Sequence, residues 1–71
     1  MMEPILDKNG KKIKVKLVGA SGNAFSILGI CDRAMKKAGV EKDIRDDFFT
    51  EATAGNYDNL LGTAMKYFDV E

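Results

Sequence analysis

Residues 12–18 constrain this chain more than any other stretch. Lys12, Lys14 and Lys16 alternate strictly with Ile13, Val15 and Leu17. A period of two puts one set on each face of an extended strand, so the segment reads as a half-buried strand with a lysine face and an apolar face. The chain then runs through Gly19-Ala20-Ser21-Gly22-Asn23 into Ala24, Ile27, Leu28, Cys31, Ala34, Met35 and Ala38, which recur at helical spacing. Gly19 and Gly22 permit a sharp turn at this junction. Asn23 suits the helix N-cap, where its side-chain oxygen accepts a free first-turn amide.

Upstream, Asp7-Lys8-Asn9-Gly10-Lys11 contains Asn-Gly, the strongest short hairpin signal, with both residues tolerating the positive φ of a type I′ turn. An antiparallel hairpin is therefore expected, with strands at 3–7 and 11–18. Pro4 lacks an N–H and restricts the first strand to an edge. The first helix is expected over 24–38, closed by Gly39, with Lys36 and Lys37 complementing its dipole. Its apolar arc, from Ile30 round to Phe25, is wide enough to contact neighbours on two sides. Gly29 interrupts the polar stripe, as a backbone approach point or as a tolerated defect.

A second helix is expected over 43–54, capped by Asp43 and stopped by Gly55, with Ile44, Phe48 and Ala52 inward. Phe49 falls about 100° from Phe48, so the two rings cannot share one core. A third helix, opened by Asn56 or Asp58, is expected over 57–68, with Tyr57, Leu60, Leu61, Ala64, Met65 and Phe68 as its apolar stripe. The tail can add a short strand near 68–70. These elements make a single α+β domain spanning 1–71, a hairpin packed on three helices. Its expected core contains Ile13, Val15, Leu17, Leu28, Cys31, Met35, Phe48, Leu61, Met65 and Phe68.

The 71 residues are 45% hydrophobic, a folding composition rather than a disordered one. Met1-Met2-Glu3-Pro4 has no basic, apolar leader, and no run approaches the roughly 18 apolar residues of a membrane span. One cysteine, Cys31, can form no internal disulfide, which fits a reducing cytoplasm.

Formal charge is zero, yet 1–40 hold eight Lys/Arg against three Asp/Glu, and 41–71 hold three against eight. The halves are thus +5 and −5. They can neutralise one another across the fold, or the basic half can present a positive patch.

The candidate binding residues are Ser21, Gly22 and Asn23 at the strand–helix corner, joined by Lys12, Lys14, Lys16 and Arg33. Free amides at a helix N-terminus favour an anion, although Gly-x-x-Gly lacks both the Lys-Ser/Thr ending of a P-loop and the dinucleotide spacing. A capped turn explains the same residues. The lysine face likewise reads as a phosphate-backbone contact or as a solvated guard against edge aggregation. Residues 1–24 hold no aromatic on which a base could stack. Asp43, Asp46, Asp47 and Glu51 lack calcium-loop spacing and read as a solvated acidic face.

The strings KVKLVG, GNAFSILG and EATAGNYDNLL, covering most of 12–70, resemble those of short bacterial and phage- or plasmid-borne open reading frames with which no activity is associated. The resemblance implies a prokaryotic, intracellular protein and transfers no site residues.

With no His, one core cysteine and no metal-ligand spacing, a non-enzymatic binding module without cofactor or metal is the expectation. A protein is the expected partner class, nucleic acid the alternative, and a homodimer through Gly29 and Gly62 on outer helix faces a third option.

Overall fold

The computed structural model of the chain describes residues 4–17, 19 and 22–71. The elements run in the order β1 (Lys14–Val15), α1 (Ala24–Lys37), α2 (Lys42–Ala52), α3 (Tyr57–Tyr67) and β2 (Asp69–Val70). Three helices therefore carry a small two-stranded sheet in which β1 and β2 are parallel, with Lys14 opposite Asp69 and Val15 opposite Val70. The short C-terminal strand expected near 68–70 is present.

The antiparallel hairpin expected from 3–7 and 11–18 does not form as a ladder. Only one antiparallel bridge joins its arms, between Leu6 and Lys12. In that register Ile5 and Ile13 would exchange backbone bonds. The Ile13 carbonyl instead accepts the Asp69 N–H at 2.9 Å, and the Ile5 N–H turns to the Tyr67 carbonyl at 3.3 Å. The C-terminal strand has captured the acceptor that the hairpin needs, and Pro4 has no N–H with which to extend the first arm. The outer ends of the expected strands, Glu3 and Val18, lie outside the described residues.

The turn also differs from type I′. Gly10 has φ +78, but no described residue other than glycine has positive φ, so Asn9 does not adopt the second left-handed position. Lys8-Asn9-Gly10 form a three-residue connection ending in a left-handed glycine. The Gly10 N–H bonds the Asp7 carbonyl at 3.0 Å and the Asp7 N–H bonds the Lys11 carbonyl at 2.8 Å. The Asp7 carboxylate organises the loop from inside, accepting the Asn9 and Lys11 amides at 2.8 and 3.0 Å. Asp7, rather than Asn-Gly alone, sets this turn.

The helices follow their caps. Asn23 Oδ1 accepts the Phe25 amide at 2.7 Å, as expected. At the other end of α1 the Val40 N–H bonds the Met35 carbonyl and the Gly39 N–H bonds the Lys36 carbonyl, with Gly39 at φ +79. This is the Schellman closure, and it requires a residue comfortable in the left-handed region. Helix α2 starts one residue earlier than expected, with Glu41 as its cap residue and no side-chain cap bond, so Asp43 belongs to the first turn. It ends at Ala52, three residues ahead of Gly55. Asn56 caps α3 through the Asn59 amide at 3.0 Å, and Asn59 Nδ2 in turn donates to the Glu51 carbonyl at 2.9 Å. A Cβ on Gly55 would sit 2.9 Å from the Asn59 Cβ, so this α2–α3 corner needs glycine for closeness.

The core comprises Ile13 and Val15 from the strand, Ile27, Leu28, Cys31 and Met35 from α1, Phe48 and Ala52 from α2, and Leu60, Ala64 and Phe68 from the α3 region, with Ile5 beside them. Phe48 meets Phe68 and Tyr67 edge to face, at centroid distances of 5.1 and 5.9 Å. Leu17 and Leu61 are half-buried. Four residues expected on apolar faces are not inside: Phe25 is 82% exposed, Met65 65%, Ile44 43% and Tyr57 41%. Helix α3 is rolled so that Leu60, Thr63 and Ala64 face inward, because Ala64 lets it approach closely while Thr63 satisfies its hydroxyl on the Asn59 carbonyl at 2.7 Å. Of the Phe48–Phe49 pair, Phe48 is buried and Phe49 is half exposed.

This orientation of α3 predicts opposite outcomes for two substitutions. Leu60→Ala should cost about 2–5 kcal/mol, as a buried leucine truncation does. Met65→Lys should stay within about 0.5 kcal/mol of the parent. Urea unfolding of both variants checks the roll: a large loss in the Met65 variant would place that side chain back in the core.

Candidate functional site

Lys12, Lys14 and Lys16 are all exposed while Ile13 and Val15 are buried, so the lysine face exists in the expected register. The same alternation governs the backbone. On one edge of β1 the Ile13 and Val15 carbonyls accept the Asp69 and Glu71 amides at 2.9 and 2.8 Å, and the Leu17 N–H reaches the Glu71 carbonyl at 2.8 Å. Successive residues of a strand direct their N–H and C=O to opposite edges. The backbone groups of Lys12, Lys14 and Lys16 therefore face the other edge, where the sheet, ordered β1–β2, has no further strand among the described residues. One face presents three ammonium groups, and the adjoining edge presents donors and acceptors that no strand pairs among the described residues.

The structure groups these lysines differently from the expected corner. Lys14 lines a shallow cavity of about 370 Å³ with Lys8 and Lys37, floored by Ile13, Ala34 and Ala38. Lys8 passes close to the α1 terminus: a Cβ on Gly39 would lie 2.7 Å from Lys8 Cε. Neither Lys8 nor Lys37 stands out in the sequence, since one sits in a turn and the other reads only as a dipole partner. Their meeting depends on the hairpin turn reaching the end of α1.

At the corner itself, Gly22 and Asn23 are exposed, and Ser21 lies outside the described residues. Asn23 Oδ1 is engaged in the cap, and the Tyr57 hydroxyl stands 3.8 Å from where a Gly22 Cβ would be. Arg33 is exposed on the outward stripe of α1 shared with Gly29 and Phe25, the last 82% exposed. No described atom outside the local helix comes within 4 Å of a Cβ placed on Gly29 or Gly62, so neither marks a close approach within this chain.

A second, larger groove of about 630 Å³ lies between the N-terminal segment and the start of α2. Leu6, Val40, Ile44, Phe48 and Tyr67 give it an apolar lining, and Glu41 and Asp47 give it an acidic one. The exposure of Leu6 and Ile44 is explained by their position here.

The titratable groups occupy structural positions. Glu51 accepts a bond from the Tyr67 hydroxyl at 3.1 Å and pairs with Lys66 Nζ at 2.7 Å. The Lys66 bond holds the Glu51 carboxyl below its ordinary pKa. Burial, followed by the bond to Glu51, raises the Tyr67 phenol. Asp32 pairs with Lys36 of its own helix at 3.0 Å and joins α1 to α2 by pairing with Arg45 at 3.6 Å. Cys31 is fully buried, and burial pushes its thiol up to about 11. Among the described residues no three His, Cys, Asp or Glu side chains group as a metal site, and no helix is long and apolar enough to cross a membrane.

No family model, curated protein or solved structure matches the chain.

Two outcomes follow from these side chains. The native Cys31 thiol should resist labelling at neutral pH and react only on unfolding, because the thiolate is the reactive form and burial suppresses it. Rapid labelling of the folded protein would contradict that burial. For Glu51 the folded pKa is depressed, so its stabilisation is present above the ordinary glutamate value of about 4.3 and is lost as pH falls through the depressed value. Glu51→Gln should therefore be less stable than the parent near neutrality, with the gap closing in acid. Denaturant midpoints across pH read this directly.

Proposed function

We propose that this chain is a small non-enzymatic binding module that takes a protein partner by strand addition at the open edge of β1. The observation that carries the reading is the pairing of β1 on one side only. Among the described residues no strand takes up the N–H and C=O groups of Lys12, Lys14 and Lys16 at its other edge, next to the cavity shared with α1. An extended segment laid there gains main-chain hydrogen bonds, and alternate side chains give specificity. A cytoplasmic setting suits the reduced Cys31 and the lone-cysteine composition.

A second reading, nucleic-acid binding, draws on the exposed Phe25. An aromatic face on the outward stripe with Arg33 offers the stacking surface that residues 1–24 lack, and the lysine face and the Gly22–Asn23 helix start would supply phosphate contacts.

Lys16→Pro separates the two. Proline is tolerated where the strand N–H faces solvent, and it removes one donor from the open edge. With helical content unchanged by circular dichroism, the variant should lose binding to protein captured by the parent chain. Binding to single-stranded oligonucleotide that is weakened by the lost ammonium of Lys16→Pro but not abolished, falls steeply with salt and disappears in Phe25→Ala would favour the nucleic-acid reading instead.

A further inference from the structure

We propose that the strand taken up at the open edge of β1 is an acidic segment in which Asp or Glu alternates with a small apolar residue. This rests on the strand-addition reading above and specifies its partner chemistry. The motivation lies within the chain. The strand already paired to β1 is Asp69-Val70-Glu71, acidic–apolar–acidic, with Asp69 directly opposite Lys14 and the Glu71 carboxylate 3.8 Å from Lys14 Nζ. Both acidic residues are exposed and Val70 is half-buried, so β2 shows which pattern matches the lysine alternation from one side.

The opposite edge offers the same complement. Residues directly across a strand pair point to the same face, so those opposite Lys12, Lys14 and Lys16 would project beside three ammonium groups. The intervening residues would point inward to the cavity of about 370 Å³ floored by Ala34 and Ala38, whose short side chains leave room for a small apolar group. Lys37 and Lys8 at the cavity wall join Lys14 there, so three lysines outnumber the one carboxylate of the lining, Asp7, whose side chain is bonded to the Asn9 and Lys11 amides. Lys12 and Lys16 have no ion-pair partner among the described residues, so this charge is not spent inside the fold.

The lysines also exclude the commonest competitor. Pairing of two β1 edges from separate copies would set lysines against lysines, and like charges directly opposite destabilise a ladder. Exposed edges are guarded against self-pairing in this way. A guard made only of lysines is selective, since it repels a basic strand and admits an acidic one.

The probe is a short capped peptide alternating Glu and Val, compared with the same peptide carrying Gln in place of Glu, on the full chain. Amide exchange supplies the readout. The Glu peptide should slow exchange at Lys14 and Lys16 and bind more tightly than the Gln peptide, with the difference shrinking as salt rises. Lys12→Glu and Lys16→Glu, which lie outside the core, should each weaken the Glu peptide by about three- to tenfold, in line with cross-strand charge pairs. Equal affinity for the Gln peptide at the same amides would overturn the acidic preference and leave strand addition standing. Failure of both peptides to slow those amides would overturn strand addition as well. A sedimentation mass showing that the chain's own copies close this edge would make a second copy the occupant and sink the proposal.

Discussion

The structure depends on the hydrogen bonds by which the C-terminal residues close onto β1. Asp69 and Glu71 donate to the Ile13 and Val15 carbonyls, and Leu17 donates back to Glu71. These bonds have three consequences. They end the N-terminal hairpin after one bridge, because the Ile13 carbonyl is no longer available to Ile5. They place Phe68, which is 1% exposed, against Phe48 and next to Tyr67 in the core. They also decide which edge of β1 is filled and which is open. A parallel pair needs a long crossover, and the three helices between β1 and β2 supply it.

Charge is organised less simply than the +5 and −5 halves suggest. Among the described residues only Lys14–Glu71 joins a base of the N-terminal half to an acid of the C-terminal half, at 3.8 Å between exposed groups, a geometry that contributes little in water. The other bridge between halves runs the opposite way, from Arg45 to Asp32, and Lys42–Asp46 and Lys66–Glu51 are internal to the acidic half. The halves do not cancel by direct pairing among the described residues. The fold therefore keeps a basic strand edge close to an acid-lined apolar groove, with Asp7, Lys8 and Ala38 lining both the groove and the cavity beside that edge.

The polar groups that are tightly held serve the packing of helices. The Glu51, Lys66 and Tyr67 set joins α2 to α3, and Asn59 completes the same corner by bonding the end of α2. Cys31 fills volume at the centre, and its raised pKa keeps it a neutral thiol at physiological pH. The exposed lysines of the strand edge and the exposed Phe25 and Arg33 of α1 lie outside these sets.

Local chemistry made much of this legible in the residues alone. The alternation at 12–17 determined the strand register and which side chains are wet, since a slip of one residue would expose Ile13 and Val15. Asn23, Gly39 and Asn56 determined helix ends because each supplies a cap or a left-handed residue that depends only on its neighbours. The separation of Phe48 from Phe49 followed from helical periodicity. Partner choice was not local. Whether Ile13 pairs with Ile5 or with Asp69 is a competition between two strands for one carbonyl, and a pattern of alternating residues carries no information about its winner. The roll of α3 was likewise decided in three dimensions, where the close approach at Ala64 outweighed exposure of Met65, a choice that the broad apolar stripe left open. The meeting of Lys8, Lys14 and Lys37, and the open edge beside them, exist only because the tertiary structure brings a turn, a strand and a helix end together.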